Sequence, residues 1–110
     1  MAEPTIDHNK FFDLTGKKAL VTGAGRGIGK AIALGLARAG ADIGLVARTE
    51  SEINAVAGQV KAMDRQAVVA AADLTVTADI PALVSRLAGE LGGIDILVNN
   101  AGYQPLRSIG

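Results

Sequence analysis

Cysteine and tryptophan are absent from this 110-residue sequence, histidine occurs once, and the only aromatic residues are Phe11, Phe12 and Tyr103. Without cysteine there is neither a disulfide framework nor a thiolate metal site. The single histidine, His8, lies in a polar stretch with no partner beside it, so it offers no metal-binding or catalytic pair. Neither sign of charge dominates: eleven Lys and Arg balance eleven Asp and Glu, and no segment concentrates the basic ones. That removes the electrostatic footprint of a nucleic-acid or anionic-membrane binder, so any phosphate recognised here is small and local. Apolar runs near the roughly 20 residues that span a bilayer are missing too. The opening Met1-Ala2-Glu3-Pro4 lacks the basic-then-apolar order of a signal peptide, and a cytoplasmic location is expected.

What remains is an apolar chain, 49% hydrophobic with mean hydropathy +0.31, enough to build the core of one domain. With so few aromatics the core must come from Ala, Val, Ile and Leu, which suits strands buried on both faces. Residues 1–14 read as a loose arm that Phe11 and Phe12 pin to the body, and 15–110 as the body itself. Within the body, Lys18 to Thr22 is a short apolar run ended by glycine, hence a buried strand. Ile28, Ile32, Leu36 and Ala39 recur at helical spacing, with Gly40 placed as a helix C-terminal glycine. Asp42 to Ala47 gives a second strand. Thr49-Glu50-Ser51-Glu52 has the form of a capping box that opens a helix carrying Ile53, Val56, Val60 and Met63. Ala67 to Ala72 is a third strand. Ile80, Leu83, Val84, Leu87 and Leu91 line a third helix before Gly92-Gly93, and Ile94 to Val98 forms a fourth strand. Four strands alternating with three helices predict right-handed crossovers and an α/β, Rossmann-type, doubly wound parallel sheet in the order 3-2-1-4.

The segment Thr22-Gly23-Ala24-Gly25-Arg26-Gly27-Ile28-Gly29 joins the first strand to the first helix, where unpaired backbone N–H groups and the positive helix end attract an anion. A diphosphate is the natural guest. No frame satisfies G-x-G-x-x-G, since Ile28 or Lys30 falls in the third glycine place; the spacing that fits is G-x-x-x-G-x-G. The nucleoside-triphosphate loop fails as well, with Ala24 at its first glycine and Ala31 in place of its Ser or Thr. A glycine-rich turn without a ligand is the competing interpretation, at a backbone-entropy cost of roughly 0.5–1 kcal/mol per glycine.

A dinucleotide site commonly places an acid at the end of the second strand to hold the adenosine ribose 2′-hydroxyl. Here Ala47 occupies that place, followed by Arg48 and Thr49. An acid repels a 2′-phosphate, whereas a guanidinium binds it through forked, charge-assisted hydrogen bonds. Arg26 could approach the same phosphate from the glycine loop. The residues therefore favour NADP(H) over NAD(H), the alternative for each arginine being a solvated surface charge.

Taken together, the glycine loop, Asp73-Leu74 after the third strand and Asn99-Asn100-Ala101-Gly102 after the fourth resemble the short-chain dehydrogenase/reductase family. The likeness is to its 3-oxoacyl-carrier-protein reductases and its gluconate and other sugar or polyol dehydrogenases, and it runs from about Phe12 to Gly102. The resemblance implies that Asp73, helped by the Leu74 backbone, bonds the adenine amino group. It further implies that Asn99 braces the central strands, that Ala101 and Gly102 border the adenosine side, and that Ile28 sits beside the pyrophosphate. For Asp73, Asn99 and Asn100 the alternative is plain turn chemistry.

The family's reaction moves a hydride between nicotinamide and a carbonyl or alcohol, using a tyrosine, a lysine four residues later and a serine. Tyr103 is followed at that spacing by Arg107, which cannot readily share a proton as lysine does, and Ser108 is no better placed; no catalytic residue is assigned. The expectation is therefore a cofactor-binding half-domain of an NADP(H)-dependent oxidoreductase whose catalytic segment lies beyond Gly110. The alternatives are a free-standing nucleotide-binding half-domain and a structural truncation product that self-associates. The fourth strand would be an apolar edge, to be covered by a second copy or by further chain.

Overall fold

A computed structural model describes residues 13–74 and 79–100. Its elements run β1 (Lys18–Thr22), α1 (Gly27–Arg38), β2 (Asp42–Ala47), α2 (Glu50–Lys61), β3 (Ala67–Ala71), α3 (Ile80–Leu91) and β4 (Ile96–Asn99). All neighbouring strands are parallel and their order is β3-β2-β1-β4, the Rossmann-type arrangement that the alternation of elements predicts. The chain winds outward from β1 to β2 and β3, then crosses back to place β4 on the other side of β1. That reversal leaves a crevice at the carboxyl ends of the central strands.

Helices α1 and α2 share one core with β1 and β2, built on Val21, Ile43, Leu45, Ile53, Val56 and Val60, all at most 1% exposed. Helix α3 covers the opposite face, where Leu87 packs with Leu20, Val46 and Ala70. The apolar stripe of α2 is the one its spacing predicts. That of α1 is not: Gly29, Ala33 and Ala37 face the sheet, while Ile28 is 71% exposed and Leu36 only flanks the core. The reason is close approach. A Cβ at Gly29 would lie 1.9 Å from the Gly23 carbonyl oxygen, so the helix start touches the loop backbone and only small residues fit beneath it.

Gly40 does end α1 as expected, following Ala39 with φ +116°. Leu14, at the boundary of the expected arm, donates its amide to the Ala39 carbonyl at 2.8 Å and packs against the core. Strand β4 starts two residues later than its hydropathy suggests. Asp95 instead exchanges hydrogen bonds with Lys18, its amide donating to the Lys18 carbonyl and its carboxylate accepting the Lys18 amide. Among the described residues β4 pairs only with β1, and Leu97 on it is 63% exposed. No helix among them is long and apolar enough to cross a membrane.

Candidate dinucleotide site

Parallel register brings the ends of all four strands to one edge of the sheet, since Thr22 pairs with Val46 and Asn99, and Ala47 with Ala71. The segments that follow them therefore converge: Gly23–Gly29, Arg48-Thr49, Asp73-Leu74 and Asn99-Asn100. Ala101 and Gly102 lie outside the described residues, as do His8, Tyr103, Arg107 and Ser108.

The glycine loop is fixed from two sides. Ala24, fully buried, donates its amide to the Val46 carbonyl at 3.1 Å, and the Asn100 side-chain amide donates to the Gly23 carbonyl at 3.3 Å. Beside it, the Thr22 hydroxyl donates to Asn99 Oδ1 at 3.1 Å, tying β1 to β4 at the mouth of the crevice. Gly27 adopts φ +60°, and a Cβ there would meet nothing within 4 Å, so the backbone opens on free space. Helix α1 begins at this residue, with Arg26 before it as N-cap, no side-chain cap and no acid in its first turn. Its first amides thus lack intrahelical acceptors and carry the positive helix end toward that space. This is a fitting cradle for a diphosphate.

Arg26, Arg48 and Thr49 are all exposed at the same edge, and neither arginine takes part in an ion pair among the described residues. Thr49 is the N-cap of α2, but its side chain makes no capping hydrogen bond, so the predicted capping box does not form. The Glu52 side chain lies instead against the glycine loop, where a Cβ at Gly25 would come within 2.9 Å of Glu52 Oε1. Across the sheet, Asp73 is exposed and Leu74 half-buried in a cleft of about 520 Å³ between the end of β3 and α3, shared with Ile80, Leu83 and Arg86. Among the described residues no cluster of His, Cys, Asp or Glu could hold a metal ion.

Two contributors escape a reading by motif. Asn100 is the second residue of an Asn-Asn pair that turn chemistry already explains, and Glu52 is explained by its expected capping role; only the folded geometry places both on the loop.

A sequence description of the short chain dehydrogenase family matches residues 17–109. The chain belongs to this family. The 2-dehydro-3-deoxy-D-gluconate 5-dehydrogenase of Escherichia coli is 48% identical over 94 residues, an alignment covering 83% of this chain and 35% of that protein. L-sorbose reductase from Gluconobacter frateurii, solved with NADPH and L-sorbose, superposes with a TM-score of 0.77 at 37% identity, covering 86% of this chain and 36% of that one. Carveol dehydrogenase from Mycobacterium avium, solved with NAD, gives 0.77 at 33% identity over 81% of this chain and 36% of that one. The chain spans about a third of the length of the curated relatives it matches, 35% in two of the first three and 37% in the other. It thus belongs to a family of oxidoreductases that bind nicotinamide dinucleotides.

Proposed function

We propose that the chain is the cofactor-binding part of an oxidoreductase that uses NADP(H) in preference to NAD(H), and that the complete protein moves a hydride between that cofactor and a carbonyl or alcohol. The observation that carries this reading is the pair of exposed guanidinium groups, Arg26 and Arg48, with no ion pair among the described residues, flanking an edge where Ala47 stands in place of an acid. Their forked donors suit a 2′-phosphate.

In this reading the first-turn amides of α1 and the loop from Gly23 to Gly29 hold the diphosphate, with Ile28 beside it. Arg26, Arg48 and Thr49 surround the adenosine 2′-phosphate, Asp73 and Leu74 take the adenine, Asn99 braces the central strands, and Ala101 and Gly102 border the adenosine side. The bound nicotinamide would supply the hydride acceptor or donor. The groups that exchange the proton belong to further chain, which would also add a strand beside Leu97. A cytoplasmic location goes with the same reading. The exposure of Leu97 also supports a second one, a half-domain that pairs with its own copy.

Calorimetric titration with NADP+ and NAD+ tests the first reading. Arg48→Asp should move the ratio of the two dissociation constants toward NAD+ by about tenfold or more, the scale of one lost charge-assisted contact with a phosphate. Unchanged selectivity rejects the role of Arg48. Sedimentation velocity of the unliganded protein separates the second reading, which requires a dimer.

A further inference from the structure

Glu52 occupies the third position of α2, where a capping-box glutamate would fold back onto the helix start. It does not. The Thr49 side chain makes no cap, and the Thr49 carbonyl accepts the Glu52 amide at 3.1 Å by backbone alone. The freed side chain runs toward the phosphate loop. A Cβ built at Gly25 would stand 2.9 Å from Glu52 Oε1, 3.0 Å from Glu52 Cβ and 3.6 Å from Ala47 Cβ. Glu52 is half-buried and makes no ion pair among the described residues. Gly25 precedes Arg26 and Ala47 precedes Arg48, so a carboxylate with no ion pair among the described residues lies close to the segments that carry the site's cations.

We infer that Glu52 is a specificity-determining residue of the adenosine-ribose subsite, its carboxylate accepting a ribose hydroxyl and opposing a 2′-phosphate, and so supplying from α2 the acid that the end of β2 lacks. This rests on the proposed dinucleotide site. A 2′-phosphate carries nearly two negative charges, and a third beside it weakens the hold of Arg26 and Arg48. The ribose diol of NAD(H) meets an acceptor instead. The NADP(H) preference set by the arginines is therefore held down, and the site takes both cofactors.

The experiment is calorimetric titration of the purified protein with NADP+ and with NAD+, comparing wild type, Glu52→Gln and Glu52→Asp, with melting temperature as a check on folding. Glu52→Gln keeps the shape and removes the charge. It should raise the preference for NADP+ about three- to tenfold, the size expected for one like charge at close range in a partly solvated site, by tightening NADP+ and loosening NAD+ together. Glu52→Asp withdraws the carboxylate by one methylene and should shift the ratio the same way by a smaller factor, which keeps the inference testable if the glutamine variant fails to fold. An unchanged ratio overturns the role of Glu52 and leaves the site standing. A ratio that moves toward NAD+ also overturns it, since Glu52 would then be orienting Arg48. Binding of neither nucleotide by wild type overturns the dinucleotide site itself, and this inference with it.

Discussion

At the amino end of the sheet Asp42 accepts the Lys18 ammonium at 2.6 Å and the Gln66 amide at 2.8 Å, while Asp95 accepts the Lys18 amide at 2.9 Å. These contacts clamp all four strands, and the Lys18 ammonium is paired with the Asp42 carboxylate. At the carboxyl end Arg26 and Arg48 stand without an ion pair among the described residues, and α1 starts with no acid and no side-chain cap. The carboxylates of the amino end are thus satisfied within the fold, whereas the carboxyl end presents donors and cations of the kind that suit an anion. Stability and the proposed binding belong to opposite edges of the same sheet, which makes them separable by mutation.

The largest effect that can break this separation is at Gly29, where the two requirements meet. An alanine Cβ there would stand 1.9 Å from the Gly23 carbonyl oxygen and 2.8 Å from the Asn100 amide nitrogen, and neither backbone nor brace can yield without opening the loop. Gly29→Ala should cost about 2–3 kcal/mol in chemical denaturation, the upper range for overpacking and more than the roughly 1 kcal/mol that alanine gains in a helix. Nucleotide affinity should be lost with it. A variant of unchanged midpoint would contradict the close contact.

A smaller effect, confined to stability, is expected at the amino end. Burial opposes the charged form of Asp42, but the Lys18 and Gln66 hydrogen bonds and the nearby Lys18 and Arg65 charges outweigh it, so its carboxyl stays below the ordinary value of 3.8. A carboxylate lowered on folding contributes stability that is complete above the unfolded pKa and disappears as pH falls through the folded one. Asp42→Asn should therefore cost about 1 kcal/mol at neutral pH, with the gap to wild type closing as pH falls below about 4, while nucleotide affinity stays unchanged. A gap that persists unaltered to pH 2 would remove the linkage.

Smallest, and opposite in sign, is Gly58→Ala on the exposed face of α2, where an added Cβ meets nothing within 4 Å. A gain of roughly 0.5–1 kcal/mol is expected in thermal unfolding, and a loss would show that the space is not free.

The sheet was legible because buried parallel strands write themselves as short apolar runs: Lys18 to Thr22 and Asp42 to Ala47 coincide with β1 and β2. The burial of α1 was not, because hydropathy picks out bulk, and at a close helix-sheet approach the buried positions are the small ones, Gly29, Ala33 and Ala37. The start of β4 was hidden by Ile94 and Asp95, apolar and polar in strand-like alternation but used for a staple to Lys18. The segment with the G-x-x-x-G-x-G spacing lies where the sequence puts it, between β1 and the first turn of α1. Asn100 and Glu52 required knowing which distant segment each would meet, 77 residues away from Gly23 in the first case.

That distance has a kinetic consequence. Strand β1 finds β2 across a separation of 24 residues, as in the Lys18 and Asp42 contact, but finds β4 across 77, as in the Thr22 and Asn99 contact. Loop closure over the longer span costs about 1 kcal/mol more entropy, and non-local pairing of this kind forms late. The Asn100 brace on Gly23 arrives only with β4. The loop therefore acquires its final shape only when β4 docks, and refolding followed by a bound fluorescent nucleotide should lag behind the recovery of helical signal.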